Sequence, residues 1–217
     1  LVDLIPEDDY QNAVDRSRLA EIKNARSAAA DAYFRANAEQ WDRIRSLHVD
    51  ERDVEQAVLA AFPDHASDLL DMGTGTGRML ELFADRIDRG VGIDLSRDML
   101  AVARAKLEIS GHRHCHVRLG DIYRIDVAGP AYDAVVIHQV LHYAERPQAI
   151  ISEAARLLRP DGALLVVDFA PHDLESLRTE HAHRRLGFSE VEMTGWFDDA
   201  GLTAQSVTRL PGDPLTV

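Results

Sequence analysis

Leu69-Leu70-Asp71-Met72-Gly73-Thr74-Gly75-Thr76-Gly77-Arg78 is the stretch on which the reading of this chain turns. A short apolar run, 68–72, leads into a glycine loop and then into a segment with helix-forming residues, 77–86. Glycines at a strand-to-helix turn let the backbone bend sharply and let a ligand come close. The spacing is D-x-G-x-G-x-G. A dinucleotide fingerprint, G-x-G-x-x-G, would put its third glycine at position 78, which is Arg78, so a nicotinamide-dependent oxidoreductase is disfavoured. A Walker loop is also excluded, because no Gly-Lys-Ser/Thr follows. The acid at the strand end, Asp71, suits a cationic ammonium group on a ligand, and no basic partner for a pyrophosphate lies in the motif.

Outward from the loop, strands and helices alternate. Gly90–Asp94 reads as a second strand, 97–109 as a helix and 113–118 as a third strand. Tyr132–His138 is an apolar strand with no alternation, as expected when both sheet faces are covered. Helix 147–158 stops at Arg159-Pro160-Asp161-Gly162, and Ala163–Asp168 is another buried strand. Helical stretches follow at 173–185 and 190–200, the second capped by Ser189 and ended by Gly201, and then a strand at 203–210 and a Pro211-Gly212 turn. Such alternation implies βαβ units and a parallel sheet, with ligands bound at the carboxyl ends of its strands. Asp94 ends the second strand about twenty residues after the glycines, where an acid can accept hydrogen bonds from both ribose hydroxyls. Asp121-Ile122, after the third strand, suits an adenine: the acid takes the exocyclic amine and the apolar residue packs the ring face.

Upstream, residues 1–9 read as a linker. Residues 10–46 contain no Gly or Pro and carry Val14, Leu19, Ile22, Ala25, Ala29, Tyr33, Ala36 and Ile44 at helical spacing. The region packs on the domain or also pairs two chains; periodicity leaves both open. Asp50 or Asp53 can cap a further helix ending near Phe62. The expected division is 1–62 as linker and helical extension and 63–217 as the ligand-binding domain. The chain begins at Leu1 rather than Met and ends on a strand-like Leu215-Thr216-Val217, so a piece of a longer protein is expected.

Composition narrows the class. The 217 residues are 46% hydrophobic and 28% charged, which excludes wholesale disorder, and the formal net charge of −13 argues against gripping a phosphate backbone. No run reaches the length of a membrane span. The single cysteine, Cys115, permits no intrachain disulfide and points to a reducing cytoplasm.

Five motifs in order, LLDMGTGTGRML, VGIDLSRDML, GDIY, YDAVVIHQVLHY and LLRPDGALLVVDF, together resemble the class I S-adenosylmethionine-dependent methyltransferases over residues 66–210. The likeness is greatest to the small-molecule branch that includes ubiquinone/menaquinone C-methyltransferases. The resemblance implies a Rossmann-like α/β sheet of order 3-2-1-4-5-7-6, with most of strand 7 lost here. It implies S-adenosyl-L-methionine as cofactor and S-adenosyl-L-homocysteine as product. Gly73, Gly75 and Gly77, with Met72 and Thr74 between and before them, would face the methionine part, and Asp71 its amino group. Asp94 would hold the ribose, Leu95 and Met99 would lie near the adenine, and Gly120, Asp121 and Ile122 would bind that base. His138 would touch the cofactor from the end of strand 4. Segments 25–49 and 180–202 also resemble bacterial proteins that fuse an ArsR-type winged-helix repressor to a methyltransferase. That likeness implies DNA contact through an upstream domain, not through residues 1–217, and leaves a homodimer open.

The implied reaction is in-line displacement at an activated methyl, for which a protein supplies proximity, alignment and sometimes a base. His142, after strand 4, is the candidate base, with a packed loop histidine as the plain alternative. His172 lies at the cleft rim; His181 and His183 fall in the segment that covers a substrate. No metal is expected: there is no HExxH, and in a strand His112, His114 and His116 would face away from Cys115. One cysteine disfavours arsenite as substrate. His138-Gln139-Val140-Leu141 stands where enzymes that methylate amino nitrogens of DNA bases carry Asn/Asp-Pro-Pro-Tyr, which lowers nucleic acids as acceptors. Tyr33, Phe34 and Trp41 either pack in a core or close over the cofactor. A reading of another class remains, in which the domain senses S-adenosylmethionine or its product for a fused repressor without turnover.

Overall fold

The computed structural model describes residues 10–45, 50–212 and 215–217; the expected linker 1–9 lies outside the described residues. Five parallel strands form the sheet: β1 (Asp68–Met72), β2 (Arg89–Asp94), β3 (Cys115–Leu119), β4 (Tyr132–His138) and β5 (Leu158–Val167), in the order β3-β2-β1-β4-β5. β1 is central. Its Asp71 lies opposite Gly92 of β2 and Val136 of β4, so the glycine loop leaves the middle of the sheet.

The apolar runs are long because both faces are covered. On β1, Leu69 packs to one side and Leu70 to the other; on β4, Ala134 and Val136 oppose Val135 and Ile137. The first face is closed by α3 (Glu51–Ala61), α4 (Arg78–Phe83) and α5 (Arg97–Ile109) through Val54, Val58, Leu80, Phe83, Leu100 and Ala103. The second is closed by α6 (Pro147–Leu157) and α8 (Glu190–Asp199). Local chemistry sets the helix starts. Asp50 accepts the Arg52 N–H, Ser96 the Met99 N–H, and Ser189 with Glu192 forms a full capping box. Pro147 opens α6, where its missing N–H costs nothing.

The opposite end of the sheet is locked by charge. Arg159 reaches Asp68 and Asp133 at 2.8 Å each, and Asp133 also accepts the Ser67 and Asp68 N–H groups.

Upstream, α1 (Tyr10–Asn37) runs into a 3₁₀ turn at Ala38–Gln40 and α2 (Trp41–Arg45). Among the described residues no helix is long and apolar enough to cross a membrane.

Three expectations are corrected. The helix expected over 173–185 shrinks to α7 (Ser176–Glu180). Beyond it the chain's N–H groups bond elsewhere: Arg184 and Arg185 donate to the His142 carbonyl at 2.9 and 3.1 Å, and Phe188 to that of Phe169 at 2.8 Å. No strand forms over 203–210; this stretch is mostly exposed and has no neighbouring strand to pair with. The order thus stops at β5, and the chain ends in a small antiparallel contact, Pro211 with Thr216 and Leu210 with Val217. Finally, β3 starts at Cys115, so His112 and His114 precede it. His116 is exposed on this edge strand, His114 bonds the Ala84 carbonyl, and Cys115 is buried with its thiol pushed up to about 11 by burial.

Phe83 is fully buried and stacked on Phe62, with ring centroids 4.0 Å apart. Phe83→Ala should therefore cost about 3–5 kcal/mol, read as a lower urea midpoint at unchanged slope.

Candidate functional site

The loop after β1 turns back at once, since the Gly73 and Thr74 N–H groups both donate to the Ile93 carbonyl, at 2.8 and 3.0 Å. Gly73 has φ +79°, and a Cβ there would lie 2.5 Å from a Val140 methyl. Only glycine fits the space between β1 and the loop after β4.

A cleft with about 1150 Å³ of empty space opens at these strand ends. Its floor is Asp71, Gly73, Thr74, Gly75, Asp94 and His138; Leu95, Met99, Ile122 and Tyr123 form one wall. Asp94 is pinned from both sides. One carboxylate oxygen accepts the Gly75 N–H at 2.9 Å and the other the Ser96 N–H at 2.8 Å. Burial still raises its pKa, with these N–H groups opposing. Asp71 accepts the Thr74 hydroxyl at 2.6 Å through Oδ2, while Oδ1 has no partner among the described residues. Its pKa is raised to about 7, chiefly by burial; the Thr74 bond opposes this and Asp94 adds to it. His138 is buried, its Nε2 also lacks a partner among the described residues, and burial, aided by Arg45 and His142, brings its pKa down to about 3. The ring is therefore neutral near pH 7.

The upstream helices roof this cleft. Phe34 and Trp41 line it, with centroids 5.4 Å apart, and Phe34 meets Tyr143 at 4.9 Å. Asp42 accepts the Thr76 hydroxyl at 2.7 Å and pairs with Lys106, which docks α2 on the glycine loop. Arg45 also lines the cleft, its guanidinium 2.6 Å from Glu51. Of the expected aromatic group, Phe34 and Trp41 thus line the cleft, while Tyr33 meets His181 at 2.7 Å.

Other expected residues stand back from the cleft wall. Met72 points into the core under α6, Gly77 sits at the start of α4, and Gly120 bonds the Asp94 carbonyl through its N–H. Asp121 is exposed and accepts the Tyr123 N–H at 2.9 Å, which turns Ile122 and Tyr123 toward the cleft. His142 is 1% exposed and lines no cleft wall. Its Nδ1 lies 2.8 Å from Asp168, whose carboxylate also accepts the Leu141, His142 and Phe169 N–H groups. The His142 ring lies 4.1 Å from those of Tyr143 and His183. His172 lines a second cleft instead. Among the described residues no three His, Cys, Asp or Glu side chains cluster as a metal-holding group.

The sequence reading missed Arg45 and Asp168. Arg45 carries no motif, and its approach to the glycine loop is a long-range contact. Asp168 did have a signal, as the acid closing the β5 run.

Residues 70–166 match the family described as "Methyltransferase domain". The chain is 31% identical over 153 residues to a malonyl-[acyl-carrier protein] O-methyltransferase of Serratia marcescens, covering 70% of this chain and 56% of that protein. It is 30% identical over 148 residues to a phosphatidylethanolamine N-methyltransferase of Cereibacter sphaeroides, covering 67% of this chain and 68% of that one. The chain thus spans between 56% and 68% of the length of these relatives. A solved structure of a SAM-dependent methyltransferase from Aquifex aeolicus superposes with a TM-score of 0.62 at 20% identity, over 75% of this chain and 86% of that one, a likeness of fold.

Because the folded Asp71 holds its proton more tightly than an unfolded aspartate, its contribution to stability is complete below about pH 4. That contribution is lost as pH rises through about 7, the raised folded-state value. Unfolding free energy measured against Asp71→Asn should therefore fall between about pH 4 and about pH 7 and level off above, and a flat difference would refute the raised pKa.

Proposed function

Since the chain belongs to the class I S-adenosylmethionine-dependent methyltransferase family, we propose that it transfers a methyl group to a small-molecule acceptor. The observation that carries this reading is the cleft floor. There a buried carboxylate oxygen of Asp71 and Nε2 of His138 lack partners among the described residues, beside the doubly anchored Asp94. Partnerless buried polar atoms are costly and mark places where a ligand completes the hydrogen bonding. The donor set fits S-adenosylmethionine. Asp71 meets the ammonium, which favours its ionised form. Asp94 takes the ribose hydroxyls with the lone pairs left by Gly75 and Ser96. Leu95, Met99 and Ile122 hold the adenine, and Asp121 reaches its edge from the rim. Arg45 offers a cation for the cofactor carboxylate, and His138 lies against the cofactor backbone. Met72, Gly77 and Gly120 shape the loops from behind, and Thr74 holds Asp71 in place.

The bound cofactor supplies an electrophilic methyl on sulfur, leaving S-adenosylhomocysteine. The chain's own residues orient the acceptor, exclude water through Phe34, Trp41 and Tyr143, and take up its proton. His142 is the proposed base, a role that requires Tyr143 or His183, packed against its ring, to move aside and open it to the acceptor. Asp168 faces Nδ1 at 2.8 Å and its carboxylate already accepts three backbone N–H groups, so it orients the imidazole with Nε2 on the far side. The two relatives named above methylate oxygen and nitrogen respectively, by their names, so they do not select the acceptor atom.

A second reading is favoured by one observation: α1 and α2 contribute cleft wall, so cofactor occupancy bears directly on the upstream helices. Together with the resemblance of segments 25–49 and 180–202 to repressor fusions, this supports transmission of the bound state to an upstream DNA-binding domain, with or without turnover. Leu19 and Ile22, exposed on α1, support pairing of two chains. The single, buried cysteine suits a cytoplasmic protein.

Calorimetric titration with S-adenosylmethionine and, separately, with S-adenosylhomocysteine tests the proposal. Micromolar binding of both supports it; binding of neither sinks it; a large preference for one that shifts with DNA in a longer chain moves the reading to a sensor. Asp94→Ala should weaken either ligand about tenfold or more, as expected for losing hydrogen bonds to a charged group. His142→Ala should leave binding intact and cut turnover by about a hundredfold, and unchanged turnover would exclude it as the base.

A further inference from the structure

Beside the cofactor cleft lies a second one, with about 1530 Å³ of empty space. The two meet at Ala144, which lines both, and α1 runs over both, offering Ala30 and Phe34 to the first and Arg26 to the second. The second cleft carries Arg26, Arg178, Arg184 and Arg185 against a single acid, Glu145. In a chain of net charge −13 this is a local reversal of sign. Glu145 is already paired with Lys23 at 2.6 Å, and Arg178 with Glu175 at 3.1 Å. Arg26, Arg184 and Arg185 form no ion pair with a carboxylate among the described residues.

The backbone holds these cations in place. Arg184 and Arg185 donate their N–H groups to the His142 carbonyl, and the Arg178 guanidinium bonds the Arg184 carbonyl. Ala182 sits at φ +58°, a strained conformation for a residue with a side chain. At Gly187, φ +82°, a Cβ would fall 2.1 Å from the Ala170 carbonyl oxygen, so the segment presses on the sheet end more closely than any other residue allows. Beneath it, His183 of the cleft wall lies 4.1 Å, ring to ring, from the His142–Asp168 pair.

We propose that this arginine-lined cleft seats an anionic group of the methyl acceptor, a carboxylate or a phosphate, with the rest of the acceptor reaching past Ala144 toward the cofactor cleft. The inference rests on reading the first cleft as the donor site and names the substrate class that the second one selects. Planar guanidinium groups bind both anions with paired hydrogen bonds, and a walled cleft of one sign concentrates its field.

The test uses the full chain saturated with S-adenosylhomocysteine, at constant ionic strength because open arginines are screened by salt. Inorganic phosphate, malonate and choline are titrated separately and followed by NMR. The expected result is saturable binding of phosphate or malonate and none of choline. Arg184→Glu with Arg185→Glu, and independently Arg26→Glu on the exposed face of α1, should each weaken the anion about tenfold or more, with S-adenosylhomocysteine affinity unchanged. Phosphate alone would assign a phosphorylated acceptor and malonate alone a carboxylated one. Failure of both anions to bind, equal binding to wild type and variants, or preference for choline would overturn the proposal. Failure of S-adenosylhomocysteine to bind the wild-type chain would overturn the donor reading instead, and anion titration of the chain without it still decides the charge of the cleft.

Discussion

Asp94 ties together two loops that leave neighbouring parallel strands, and the order of the site follows from that tie. One oxygen receives the N–H of Gly75 from the β1 loop and the other that of Ser96 at the start of α5. The Ile93 carbonyl, the Thr74 carbonyl that accepts the Gly77 N–H, and the Thr74 and Thr76 hydroxyls hold the rest of the glycine loop. The desolvation of a buried carboxylate opposes this arrangement, and the N–H bonds offset it only in part, so its pKa remains raised. Asp71, a neighbour in the same space, raises the strain further, since each acid disfavours the other's charge. A floor of two crowded acids is poised for a ligand that carries positive charge and hydroxyl groups.

The upstream helices complete the enclosure by a different physics. Phe34, Trp41 and Tyr143 meet edge to face, which brings apolar surface over the polar floor without itself needing hydrogen bonds. Charge fixes the attachment: Asp42 bridges Thr76 and Lys106, and Arg45 sits between Asp42 and Glu51. The apolar cover from Phe34 and Trp41 and the polar floor at Asp71 and Asp94 thus come from parts of the chain thirty residues and more apart.

The sheet was legible because its strands are short apolar runs bounded by glycine and acid, and because Asp50, Ser96 and Ser189 announce helix starts by local hydrogen bonding. The β1, β4 and α5 limits follow from residues within the elements themselves. The polar floor of the cleft was legible for the same reason, since Asp71, Gly73, Gly75 and Asp94 line it from their own places at the strand ends. What escaped depends on distant partners. Segment 181–185 has helical composition, yet its N–H groups bond the carbonyls of Leu177 and His142. Residues 203–210, where a strand is expected after the helix-ending Gly201, lie mostly exposed and join no strand of the sheet. Arg45 and Asp168 matter only once folding brings them beside Asp71 and His142.

The strap of chain from His181 to Ser189 is held by main-chain bonds, through the carbonyls of His142, Phe169 and Leu177 and the N–H of His172, and by inward side chains: His183 lies against His142 and Phe169, Phe188 enters the core beside Trp196, and His181 meets the Tyr33 hydroxyl. Such bonds are indifferent to which side chains the strap carries, Gly187 excepted. Arg184 and Arg185, which contribute N–H groups to the fold and are not part of the core, can therefore be exchanged at less cost than Phe188, His183 or Gly187, which are packed inward. On the proposed reading, acceptor preference can drift at Arg184 and Arg185 while the loops around Asp71 and Asp94 stay fixed. A library randomised only at Arg184 and Arg185 would vary the charge of this cleft while leaving the packed Phe188, His183 and Gly187 in place.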